Sequence, residues 1–229
     1  MAAPTLHIDF VSDVACPWCA IGLSGLLIAL ERLGASLGPV TLAFQPFRLN
    51  PDMGPQGEDV IAYLSQKYGL DPAQVAANQA GIRERAATVG FDFNMDRRSR
   101  TWNTWEAHRL LHEAGLQGQT QAVALKRALF GAYFTEGENP TAPEVLRRCA
   151  QAAGLDMDRV EAVLADPQRH AAEVQEAEAF WRQAGIRSVP GIVVNRTHLI
   201  SGGQPGDRLQ VAWTDSRGAS RRDEVRVEA

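Results

Sequence analysis

A chain of 229 residues, 45% of them hydrophobic, has enough apolar material for one elaborated domain or two small ones. A net charge of −4, with no basic run before the last few residues, argues against nucleic acid as a partner. No apolar stretch reaches the ~18 residues of a membrane span, and Met1-Ala2-Ala3-Pro4-Thr5 lacks the features of a secretory leader, so a cytoplasmic protein that meets no membrane is expected.

Leu6 to Val11 is apolar or β-branched and predicts a buried strand. Cys16-Pro17-Trp18-Cys19 then opens an apolar run to Leu33, which predicts a helix from Pro17 with Gly34 as its stop. Val40 to Phe47 reads as a second strand, and β-α-β order implies a parallel pair with a right-handed crossover. From Gly57 to about Ala165 the signals are helical. Helices are expected over Glu58–Tyr68, from the capping box Asp71-Pro72-Ala73-Gln74 to Val89, and over Ser99–Ala114, with Trp102 and Trp105 on one face. Thr120–Phe134 follows, then helices capped at Thr141 and Asp158. Asp166-Pro167 starts a long amphipathic helix with Ala171, Val174, Ala177 and Trp181 in its stripe. Gly191–Val194 and Thr197–Ile200, joined at Asn195-Arg196, read as a β-hairpin. Pro205–Trp213 is expected as a short closing helix, and Thr214–Ala229 as a frayed, charged tail.

The chemistry concentrates at Cys16-Pro17-Trp18-Cys19. Two thiols at this spacing can close a small disulfide ring, and a helix N-terminus favours an anion by up to ~2 kcal/mol. Cys16 is therefore read as the exposed attacking thiol and Cys19, one turn on, as the buried resolving thiol. Asp13 would oppose a thiolate if it lay near. Zinc is the first alternative, but a structural site needs four ligands and no second pair is present. Two inert buried cysteines are the bland alternative, disfavoured by their place between strand and helix. Cys149, in a helical stripe with Val145, reads as core filler.

Ser188-Val189-Pro190 leads into the hairpin. Proline at a strand start need not donate, and an ordinary trans bond satisfies the residues as they stand. Asp9 and Asp13 are candidates to accept the Cys19 proton, with surface solvation the simpler reading of Asp13. His108 either overhangs a cleft or packs its helix.

Six stretches taken together carry a resemblance. They are Phe10 to Gly22, Phe47 to Met53, Asn103 to Leu110, Ala132 to Gly137, Ser188-Val189-Pro190 and Ser201 to Pro205. Over roughly residues 6–207 the chain resembles DsbA-type thiol–disulfide oxidoreductases of the FrnE-like branch. The resemblance implies an α/β chain: a thioredoxin-like fold with a large all-helical insertion domain. Residues 1–54 and 166–213 would form the discontinuous thioredoxin-like domain, 55–165 the insertion, and 214–229 the tail. It also implies a redox-active Cys16/Cys19 pair, supported by Pro17, Trp18, Val189 and a cis-Pro190. A cis bond there would let Val189 offer backbone groups to an extended substrate. His108 matches a family position on the helical domain. Ala20 departs from the aromatic common after the motif, and the sequence after Asp207 departs from the family's apolar closing helix.

The expected activity is protein dithiol–disulfide exchange, as reductase or isomerase, through a mixed disulfide. Its substrates would be disulfide- or dithiol-containing proteins or small molecules. No tightly bound cofactor and no metal are expected, and glutathione is the candidate redox partner. Two competitors stand beside this reading. Glutathione-dependent hydroxychromene carboxylate isomerases and kappa-class transferases share the split fold, but serine generally replaces their cysteine pair. A redox-inert peptide-binding chaperone is the other.

Overall fold

Strand β1 (Leu6–Ser12) is followed by helix α1 (Pro17–Leu33), which has proline in its first turn. Gly34 ends the helix at φ +38°, its N–H donating to the Leu30 carbonyl. β2 (Val40–Pro46) pairs with β1 in parallel, from Leu6 opposite Val40 to Ser12 opposite Pro46. A computed structural model describes residues 5–34, 38–202, 208–214 and 220–226.

The segment between the two halves of the sheet carries α2 (Val60–Tyr68), α3 (Pro72–Ala87), α4 (Trp105–Gln117) and α5 (Gln119–Phe130). A π-helical turn, Gly131–Thr135, extends α5, and α6 (Pro143–Ala152) and α7 (Met157–Ala165) follow. The Asp71–Gln74 capping box is formed in both directions. The segment is not wholly helical, because β3 (Glu58–Asp59) pairs antiparallel with β4 (Arg100–Thr101). Trp102 therefore precedes α4 instead of sharing a helix face with Trp105. Gly57 explains the pairing: at φ +61° it lies against the Thr101 carbonyl and the Trp102 ring, where a Cβ would collide. The helix caps also shift, to Ala142 for α6 and Asp156 for α7.

Helix α8 spans Ala171–Gln183 and starts later than the Asp166-Pro167 signal suggests. The intervening turn is held by buried Arg109, which donates to the carbonyls of Val163, Asp166 and Arg169. β5 (Gly191–Val194) and β6 (His198–Ser201) form the expected hairpin. The expected closing helix is absent: Arg208–Thr214 is strand β7 and Ser220–Arg226 is strand β8, paired antiparallel. Leu209, Val211 and Trp213 alternate with period two, which suits a strand. Part of the expected helix, 205–207, and of the expected tail, 215–219 and 227–229, lies outside the described residues.

The main sheet runs β2-β1-β5-β6-β7-β8, and among the described residues only the β1–β2 pair is parallel. β1 lies between β2 and β5, and both its faces are covered. Ile8 and Phe10 face the cluster containing Cys16, Cys19, Ile21 and Leu23 of α1, together with Phe130, Tyr133 and Phe134. Val11 faces the other way, onto Phe47, Trp181, Ile186 and Val193. A further cluster joins Val14 to α4, α5 and α6 through Leu110, Leu125 and Leu146. Sheet and helical segment therefore share packing around the N-terminus of α1. No helix among the described residues is long and apolar enough to cross a membrane.

Candidate active site

Cys16 is the N-cap of α1, extended at φ −93° and ψ 115°, and Pro17 occupies the first turn. Its amide donates to the Asp13 carbonyl at 3.2 Å, and its carbonyl accepts from the Cys19 amide at 3.0 Å. The Cys16 thiol donates to the Val189 carbonyl at 3.5 Å. The Val189–Pro190 bond is cis, and Gly202 donates to the Pro190 carbonyl at 2.9 Å. The strand-start proline, 174 positions from Cys16 in sequence, thus closes one side of the thiol site. Trp18 is exposed, while Pro17 and Val189 are half-buried.

Both cysteines are free thiols and both are buried. The expectation that Cys16 is exposed is corrected: 4% of its surface is accessible, because it joins the α1 cluster with Val189 packed against it. Cys19 is wholly enclosed. Burial, then hydrogen bonding to Cys16 and the Cys16 charge, raise its thiol well above the ordinary 9.0, with Lys126 opposing.

Both aspartates are buried, and neither lies where it was expected. Asp9 shares the strand face of Val11, opposite the cysteines, because side chains alternate along β1. It accepts from Gln45 Nε2 at 2.7 Å and lies 3.2 Å from His7. Asp13 is no surface residue but is 1% exposed behind the motif. Its Oδ1 accepts from the Ala15 amide at 3.1 Å and the Thr104 hydroxyl at 2.6 Å, and its Oδ2 from the Leu49 amide at 2.7 Å. The Ala15 bond is an Asx-turn that shapes the approach to Cys16. Burial alone would raise the Asp13 carboxyl, but His108, the Leu49 amide and Thr104 outweigh it and hold it below 3.8.

His108, on α4, is 3% exposed, with Nε2 3.6 Å from Asp13 Oδ1. It packs behind the motif instead of overhanging an open cleft. Burial lowers its pKa against the opposing pull of Asp13, so the ring is neutral near pH 7. Cys149 is buried in the helical core, away from the pair, and burial raises its thiol to about 11.

Sequence reasoning missed Lys126. It is fully buried on α5, its Nζ has no hydrogen-bond partner, and it interacts with Cys19, Asp13 and Cys16. A signal existed: Lys126 lies in the same buried stripe as Ala122, Leu125, Leu129 and Phe130. Missed too was Glu178 on α8, which accepts from the Arg48 amide at 2.8 Å and from its guanidinium. Arg48 in turn lies over the Trp105 ring, so this pair fixes the segment whose Leu49 amide holds Asp13.

The model of the DSBA-like thioredoxin domain matches residues 7–213. The chain belongs to this family. Members of the DsbA-like family are thiol–disulfide oxidoreductases acting on dithiols and disulfides. The crystal structure of the probable DsbA oxidoreductase SCO1869 from Streptomyces coelicolor is 32% identical, covering 88% of this chain and 85% of that one, with a TM-score of 0.80. The uncharacterized protein YwbO of Bacillus subtilis is 24% identical over 213 residues, 93% of this chain and 98% of its own. The cytosolic disulfide reductase DsbM of Pseudomonas aeruginosa, solved with GSH, shares the fold at a TM-score of 0.60 and 19% identity, covering 89% of this chain and 95% of that one.

Proposed function

We propose that this DSBA-like chain is a protein dithiol–disulfide oxidoreductase whose redox pair is Cys16 and Cys19. The observation that carries the reading is the Cys16 thiol at the N-terminus of α1, 3.5 Å from the Val189 carbonyl beside cis-Pro190, with Cys19 enclosed one turn behind. Cys16, as its thiolate, attacks a substrate disulfide and forms a mixed disulfide. Cys19 then attacks Cys16, closes the Cys16–Cys19 disulfide and releases the substrate thiol. Run backwards, the same steps oxidise a dithiol.

In a compartment held reducing by glutathione the cycle runs towards reduction or isomerisation, and glutathione regenerates the dithiol. Keeping both cysteines favours this over the glutathione-dependent isomerase and transferase reading. Half-buried Val189 and exposed Trp18 flank the thiol and suit an extended peptide segment.

The test is reduction of insulin by dithiothreitol, followed as turbidity. The protein should accelerate precipitation, and Cys16→Ser should abolish the acceleration. Precipitation suppressed equally by wild type and by Cys16→Ser would instead identify a redox-inert holdase.

A further inference from the structure

The β2 edge of the main sheet and the helices beside it border a cavity of about 310 Å³. Leu42 to Pro46 of β2 form one wall, α4 and α5 face them, and Val174 and Ala177 of α8 complete the lining. Neither Cys16 nor Cys19 lines it. The volume is at the low end for small-molecule sites, and most of the lining is apolar. Leu116 of α4 is exposed and also lines the cavity, so apolar surface continues from its wall to solvent.

Two features of the walls select a ligand. Among the described residues that line the cavity, Lys126 is the one lysine or arginine, and no aspartate or glutamate accompanies it. Lys126 is buried, and its Nζ has no hydrogen bond or ion pair among the described residues, only the Phe44 and Phe130 ring centroids at 5.8 Å and 5.2 Å. Asp13 acts on it through space alone, since the Ala15 and Leu49 amides and Thr104 take that carboxylate. A buried cation without a counter-ion is penalised, and an anion brought in from solvent relieves the penalty. The second feature is the open strand edge. The Leu42 amide points away from β1 and donates to Gln119 Oε1 at 2.8 Å. Strand alternation turns the Phe44 amide the same way, and no hydrogen bond from the covering helices reaches it.

We propose that this cavity binds a small anionic amphiphile, a monocarboxylate on an apolar body. The carboxylate pairs with the Lys126 ammonium and accepts from the Phe44 amide, while the body lies along Leu111, Leu116 and Val174. Nζ is covered where it stands, so binding turns the flexible lysine stem towards the cavity. Binding breaks no covalent bond and uses neither thiol, so it holds whether or not Cys16 and Cys19 exchange disulfides.

The charge count favours a single negative charge. Burial lowers Lys126 from 10.5 to about 8, so the amine is still mostly protonated at pH 7. His108 and His112 are the other titratable groups on the walls, and burial lowers both, so neither adds a second cation at that pH. A dianion such as a phosphate monoester would bring a charge that nothing on these walls meets. A neutral apolar molecule would fill the space and leave Lys126 unpaired.

Two experiments on the full chain test this. Octanoate and its neutral counterpart octanamide are titrated into the protein by calorimetry at pH 7. Octanoate should bind at one site per chain, at least about tenfold more tightly than octanamide, the low side of what a hydrogen bond to a charged group supplies. Lys126→Met, which keeps a long unbranched side chain and loses the charge, should abolish that preference. The second experiment needs no variant. Lys67 and Lys126 are the chain's only lysines, so carbon-13 labelling of lysine Cε gives two resonances. Octanoate should shift the Lys126 resonance and leave that of Lys67, whose ammonium is hydrogen-bonded to the Leu49 carbonyl and Asn50. No saturable binding of octanoate, octanamide bound as tightly by the wild type, or a shift confined to Lys67 overturns the proposal.

Discussion

Replacing Lys126 with methionine should stabilise the fold at neutral pH, although it deletes the ammonium beside the cysteine pair. The folded-state pKa is about 8 against an ordinary 10.5, so the unfolded chain holds the proton more tightly. Below pH 8 both states are charged, and the folded state carries the full penalty. A shift of that size corresponds to about 3 kcal/mol at pH 7. Between pH 8 and 10.5 the folded lysine is neutral while the unfolded one is still protonated, so wild-type stability rises with pH. The residual penalty falls to about 1 kcal/mol at pH 10. Methionine has a similar shape and no charge to desolvate, and removing a buried charge in favour of packing is often worth about 1–4 kcal/mol. The assay is urea unfolding of both proteins with thiols reduced, at pH 7 and pH 10. Lys126→Met should have the higher midpoint at pH 7, with the difference shrinking by more than half at pH 10. A variant less stable at pH 7, or a gap that does not change with pH, would refute the reasoning.

Other variants probe the remaining contacts. Asp13→Asn should cost about 1–3 kcal/mol, because the new amide turns a donor towards the Leu49 N–H. Asp13 titrates below 3.8 in the fold, so its stabilisation is complete above that value and is lost as pH falls through the depressed one; the gap between wild type and Asp13→Asn, read by unfolding, should close on acidification. Gly57→Ala should destabilise by about 1–3 kcal/mol in thermal or urea unfolding, since it combines a φ of +61° with a collision on the Thr101 carbonyl and Trp102 ring. Cys19→Ser should accumulate a mixed disulfide with glutathione on Cys16, visible as a mass adduct that wild type does not retain.

What could be read from residues alone followed from local signals. The β1-α1-β2 unit, the Asp71 capping box and the Gly191–Ser201 hairpin each declare themselves within a few residues of their own sequence. Pro190 was expected at the site only through the family resemblance, whereas Cys16 and Cys19 were legible because their spacing and the neighbouring apolar runs mark them. Asp13 and Asp9 were not, since their roles depend on which face of β1 meets α1 and on Thr104, 91 positions from Asp13. Thr104 also starts α4 without a side-chain cap, which hid the true helix start. Lys126 was overlooked although its Ala- and Leu-rich stripe marks a buried face, because what encloses it, Phe44 of β2, lies far from it in sequence. The strand over Arg208–Thr214 differs from the expected helix because its alternation is short and follows a glycine- and proline-rich stretch of sequence.

The account depends most on Cys16 and Cys19 exchanging between dithiol and disulfide. The decisive measurement is equilibration in a series of glutathione redox buffers, acid quenching, and mass spectrometry of the peptides. One intramolecular disulfide should form between Cys16 and Cys19 across a single two-electron transition, with Cys149 left as a thiol. No Cys16–Cys19 bond at any ratio of oxidised to reduced glutathione, or oxidation that engages Cys149 instead, would contradict it.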